Sequence, residues 1–239
     1  MADRALAPRY AVLNAQRHQR LKVLGHQGYG FARGLRSADL VVSEFEPAAS
    51  LYPLVFVRDL DGKYRPVALL AHAGSADGCV GADGRWTRAY VPMALRCHPF
   101  ALAAQAGASE PSVCVDTTSD LLSYEQGAPL FDRDGKPCAA LAQVMAALST
   151  LNQLRLQTDK LCRALAHFKL FTPLAGQAHG TAGGHFYQVD EADLYRLGDA
   201  ELCVLREHGW LRALYAHQVS LAAFGRPAVV AVRPEEVVA

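Results

Sequence analysis

The stretch Tyr52–Leu70, YPLVFVRDLDGKYRPVALL, constrains the fold more than any other part of the chain. Its two apolar runs, Leu54–Val57 and Val67–Leu70, hold the branched and aromatic side chains that fill a pleated surface. Asp61-Gly62 between them supplies the positive φ that a tight reversal needs. The pattern predicts a β-hairpin. Neither run alternates apolar with polar residues, so both faces of the hairpin are expected to be covered, which places it inside a sheet.

A chain of 239 residues, 51% of them apolar, can bury one large core or divide into a body and a smaller appendage. Its formal charge of +1 is spread without acidic or basic blocks, which leaves no electrostatic footprint for nucleic acid or for an anionic membrane surface. Near the start, Asp3, Arg4, Arg9, Arg17 and Arg20 interrupt the apolar residues, and no run is long enough to span a bilayer. A cytoplasmic protein without membrane insertion is expected. Cys79, Cys97, Cys114, Cys138, Cys162 and Cys203 are scattered singly, with no C-x-x-C pair, and read as reduced, small core residues.

Before the hairpin, Asn14 is placed to cap a short helical turn, Leu21–Leu24 suggests a strand, and Gly25–Gly34 reads as turns around Tyr29 and Phe31 rather than a dinucleotide loop. Ser43–Tyr52 reads as a short helix with Ser43 and Glu46 at capping-box spacing. After the hairpin, extended pieces are expected near Cys79-Val80, Trp86–Val91 and Val113–Val115. The period then changes. From Ala139 to Phe168 apolar residues recur at steps of three and four, which predicts one long amphipathic helix stopping near Pro173. A short strand at Phe186–Val189 and a helix pair follow, with Asp199 as cap, Gly209 as the left-handed terminator between the two, and Trp210–Phe224 packed on the first helix. The fold class this implies is α+β: a largely antiparallel β body in the first half, with a long amphipathic helix and a helix pair in the second.

An ordered set of short phrases resembles the SapC-like family across nearly the whole chain. It comprises Leu13-Asn14 with His18, Glu44-Phe45, Ala48-Ala49, Tyr52-Pro53, Val55-Phe56, Pro66–Leu70, Trp86, Tyr90-Val91-Pro92, Pro99-Phe100, Gly127 and Pro129–Asp132. Gly209-Trp210-Leu211, Tyr215-Ala216-His217 and Ser220-Leu221 close it. The resemblance implies one SapC-like domain over residues 1–239, β-rich over about 10–135 and helix-rich over about 136–225. It also implies a companion of a surface-layer export or peptide-modifying system, and it does not extend to the peptide-transporter permease of the same name. Arg96-Cys97-His98-Pro99-Phe100 stands where the family resemblance leads one to expect Arg-Arg-Tyr-Pro-Phe, so contact with an anionic ligand there would be weaker. The ligand-binding candidates are Arg96, Tyr52, Trp86 and His185, the last flanking a glycine-rich loop with His179.

No catalytic signature is present. The nine histidines form no H-E-x-x-H and no close H-x-D/E arrangement, so neither metal nor cofactor is expected. Ser75 is no nucleophile elbow. Asp59-x-Asp61-Gly62 and Asp132-x-Asp134-Gly135 begin like calcium loops but lack the later ligands and read as hairpin turns. Trp210–Phe224 offers only Arg212 as a fixed cation and suits a core or a partner, not DNA. The leading reading is a non-catalytic accessory that binds a peptide or protein. The alternative is a peptide-modifying enzyme, a non-haem iron one included, in which His18, His217 and Glu44 or Asp116 converge only in the fold. A third reading is a structural subunit that forms a homo-oligomer through the C-terminal helix pair.

Overall fold

A computed structural model of the chain describes residues 9–25, 28–71, 78–103, 111–174 and 186–224. β1 (Tyr10–Val12) leads to α1 (Ala15–His18), where Asn14 Oδ1 accepts from Arg17 N at 2.9 Å as the sequence predicts. β2 (Lys22–Val23), a 3-10 turn at Gly30–Ala32 and β3 (Ser37–Asp39) follow. A second 3-10 turn, Val42–Glu44, runs into α2 (Phe45–Ala49). The hairpin is β4 (Leu54–Arg58) and β5 (Tyr64–Leu69). Then come α3 (Met93–Arg96), β6 (Phe100–Ala103), β7 (Ser112–Asp116), β8 (Leu122–Ser123) and β9 (Ala128–Pro129). The later part holds α4 (Ala139–His167), β10 (Phe171–Pro173), β11 (Phe186–Val189), α5 (Glu191–Tyr195), α6 (Asp199–Glu207) and α7 (Trp210–Phe224).

The fold is α+β, with antiparallel sheets in the first half and helices dominating the second. The hairpin sits inside a five-stranded sheet of order β10-β11-β4-β5-β3, beside two three-stranded sheets, β1-β7-β6 and β8-β2-β9. Both of its faces are covered, for the reason its sequence suggests. Leu54, Phe56, Ala68 and Leu70 enter the main core, whereas Val55, Val67 and Leu69 pack on the opposite face with Leu174, Phe186 and the half-buried Leu221. At the far end β5 pairs with β3 only from Ser37↔Leu69 to Asp39↔Val67, and one residue on Leu40 N donates to Pro66 O at 3.1 Å.

The two Asp-x-Asp-Gly-Lys phrases fold into the same turn. Asp59 Oδ1 accepts from Lys63 N at 2.7 Å and Asp132 Oδ1 from Lys136 N at 2.8 Å, with Gly62 and Gly135 at φ +80° and +78°. Turn chemistry therefore accounts for their likeness.

α4 is the long predicted helix, 29 residues or about 44 Å at 1.5 Å per residue. Its first half sends Leu141 and Leu148 into a second core with Leu21, Phe100, Val115, Leu130 and Phe131. Its last turns send Leu161, Cys162 and Leu165 into the main core. Thr158, the one polar interruption of its stripe, is buried and accepts from Val42 N at 2.9 Å while donating to Leu154 O at 2.8 Å. A helix side chain thus supplies an acceptor to the start of the Val42–Glu44 turn. Thr158→Val, which keeps the shape and removes the acceptor, is expected to cost about 1–2 kcal/mol, read as a lower denaturant midpoint at unchanged slope.

Four local expectations shift. The helix expected from Ser43 begins as the Val42 turn, and its capping carboxylate is Glu44, which accepts from Val41 N at 2.9 Å; the Ser43/Glu46 spacing is not used as a cap. Of Trp86–Val91, only Trp86 pairs, in a single bridge to Val80. α4 ends at His167, and Phe171–Pro173 forms a strand against β11. Gly198 holds the cap position of α6 and Asp199 lies in its first turn, where a carboxylate still complements the helix dipole. Gly209, at φ +69°, stands between α6 and α7 as expected. Among the described residues no helix is long and apolar enough to cross a membrane.

Candidate functional site

Four of the site candidates read from the sequence, Glu44, Tyr52, Trp86 and Arg96, meet around Tyr90, which carried the family resemblance but was not a site candidate. Glu44 is 1% exposed, and its Oε1 accepts from Tyr90 Oη at 2.8 Å and from Met93 N at 2.6 Å. With Val41 N on Oε2, three donors converge on one buried carboxylate. The Trp86 indole N–H reaches both Tyr52 Oη and Tyr90 O at 2.9 Å, and the Tyr52 hydroxyl donates to the same Tyr90 carbonyl. Burial raises the pKa of both phenols, Glu44 adding to the effect at Tyr90, so each stays protonated and donates. The network ties the segment 86–93 to the two residues that flank α2, Glu44 and Tyr52, and so sets the position of α3.

Arg96, at the end of α3, is exposed, and its guanidinium lies over the Tyr90 ring at 5.8 Å from the centroid. No carboxylate lies within ion-pair reach of it among the described residues. It stands at the rim of a cleft of about 390 Å³ that opens between Arg96–Phe100 and the first half of α4. Val23, Leu24, Pro99, Phe100, Leu121 and Val144 give this cleft mostly apolar walls, and His98 and Gln143 add polar groups. The His98 ring is held by a stack on Phe31 at 3.7 Å and by Ser119 Oγ, 3.0 Å from its Nε2. Cys97 also lines the cleft; burial raises its thiol pKa, opposed by the guanidinium groups of Arg155 and Arg96. At about 390 Å³ the cleft falls within the size range of ligand pockets, with a largely apolar lining and a few polar groups.

The remaining candidates lie in separate environments. His217 is fully buried: Nε2 accepts from Val189 N and Nδ1–H donates to Leu54 O, each at 3.0 Å, the tautomer following from these partners. Ser220 Oγ accepts from Leu54 N at 3.0 Å. The pairing of β11 with β4, Phe186↔Val57 and Tyr187↔Phe56, would continue to Val189 opposite Leu54. The imidazole occupies that place, completing by its two nitrogens a rung that the diverging strands do not make. Asp116 Oδ1 is taken by Arg9 N, Thr118 N and Thr118 Oγ1 at 3.1, 3.0 and 2.7 Å, which closes the turn after β7. His18 is buried with Nδ1 at 3.2 Å from Asn14 N. His18, His217, Glu44 and Asp116 are not brought together, and no group of three potential metal ligands occurs among the described residues. His185 and His179 lie outside the described residues.

The profile of the SapC family matches residues 13–226, most of the chain. The chain belongs to the SapC family. No curated protein and no solved structure matches it. In this SapC chain the residues that sequence reasoning passed over as site residues are Tyr90, His98, Gln143 and Val144. Tyr90 had a visible signal, since Trp86, Tyr90 and Arg96 crowd into one short segment. His98 sat beside Arg96 in a run already noted as unusual. Gln143 and Val144 had none, because their partners across the cleft come from the other half of the SapC chain.

Proposed function

We propose that the protein is a non-catalytic accessory that binds a peptide or protein segment in the cleft beside Arg96, working in the cytoplasm with an export or peptide-processing system. One observation carries this reading: an open, mostly apolar cleft of about 390 Å³ has one guanidinium, that of Arg96, among its described lining residues. Apolar walls suit the side chains of a short extended segment, and one polar edge orients it. The hydrogen bonds of His217, Asp116 and Glu44 support the same reading, since both nitrogens of His217, both oxygens of Glu44 and Oδ1 of Asp116 hold backbone or a neighbouring hydroxyl. The SapC resemblance supplies the setting of export or peptide processing.

The test is capture from the native lysate with the tagged protein and with Val144→Trp, which fills the cleft with an indole. Peptides or proteins enriched on the parent chain and lost from the variant are expected. Recovery of a small metabolite with no enriched polypeptide overturns the proposal.

A further inference from the structure

Resting on the peptide-binding reading, we propose that the cleft selects its peptide by a carboxylate with an apolar side chain next to it, the carboxylate seated on Arg96 and the side chain on the Phe100–Val144 floor. Charge complementarity argues for this occupant. The four ion pairs among the described residues bind Asp39, Asp83, Asp193 and Glu46 to other arginines, so Arg96 comes to the rim without an anionic partner of its own. The face of Tyr90 orients its guanidinium, and Tyr90 is itself fixed by Glu44, so a planar fork is held ready for a bidentate acceptor. Arg155 of α4 and Arg96 both act on the Cys97 thiol, against the single buried carboxylate of Glu44, which is already taken up by three donors. Val23, Leu24 and Leu121, which also line the cleft, are apolar and add no charge to repel an anion or to pair with a cation. A carboxylate can come from a chain end or from an acidic side chain, and both present the same two oxygens.

Fluorescence anisotropy at low salt tests this with three labelled hexapeptides of one alanine, leucine and phenylalanine sequence. The first ends in a free acid, the second in an amide, and the third is the amide with one internal glutamate. At least one carboxylate peptide is expected to bind on the order of tenfold more tightly than the plain amide, the strength of a charge-assisted hydrogen bond. Arg96→Gln should erase that difference, while Arg196→Gln, at an exposed pair with Asp193, should leave it intact. Tight binding of the terminal acid alone assigns the site to chain ends, and of the glutamate peptide alone to acidic side chains. Thermal melting of each variant checks that it is folded. If all three peptides bind equally to the parent chain and to Arg96→Gln, the carboxylate inference is overturned while peptide binding stands. If none binds, the carboxylate inference is again overturned, and lysate capture judges the broader reading separately.

Discussion

Replacing His217 with alanine is expected to cost about 3–5 kcal/mol of stability, measured as the loss of unfolding free energy in urea. Two buried backbone groups, Val189 N and Leu54 O, lose their partners at once, and the Phe56 ring loses an edge-to-face neighbour at 5.2 Å. A cavity is added where the ring stood. The same geometry makes the parent protein sensitive to acid. Burial lowers the pKa of the imidazole from 6.5 to about 4 by disfavouring its charged form, and the hydrogen bond to Leu54 O opposes this only in part. Above pH 6.5 neither the folded nor the unfolded chain is protonated at this group, and its contribution is complete. As the pH falls below that value the unfolded chain takes up a proton that the folded chain refuses, so stability declines until about pH 4. The loss over that window is about 3 kcal/mol from this group. In His217→Ala the component should vanish, so the two stability curves converge toward low pH. Parallel curves would refute the assignment.

Glu44→Ala is expected to lose about 3–5 kcal/mol by a different route. Three donors, Val41 N, Met93 N and the Tyr90 hydroxyl, are left without their common acceptor in a buried place. The damage should also spread in a defined direction. Freed from Glu44, Tyr90 no longer fixes the segment that carries Arg96, so the Met93 amide should exchange with solvent faster than amides of β4 and β5. Hydrogen exchange read residue by residue checks this. Uniform acceleration across the sheet would mean that Glu44 acts on the whole fold and not on the rim of the cleft.

Much of the fold was legible because its signals are local. The hairpin announced its double burial by apolar residues at consecutive positions, and α4 by a stripe that kept step over 29 residues. β10 was invisible because three residues ending in proline carry no strand pattern, and its pairing to β11 spans the segment 175–185. The site was legible only in part. Ser43 and Glu46 have the spacing of a cap, yet Glu44 won the role because Tyr90 and Met93, 46 and 49 residues on, complete its hydrogen bonds. His217 drew attention as a titratable residue in a quoted run, and nothing local revealed that Leu54, 163 residues away, would take its proton donor. Long-range partners decide whether a polar residue acts on a ligand or on the backbone, and one sequence does not show them.

The single bond from Leu40 N to Pro66 O has a structural consequence for the rim of the cleft. An antiparallel rung is normally exchanged in both directions, but an imino acid has nothing to return, so the zipper between β3 and β5 stops at that residue. The chain is released there and coils at once into the turn bearing Glu44. One ring closure on a central strand thereby measures out where the buried acid falls, and through it where the guanidinium meets solvent.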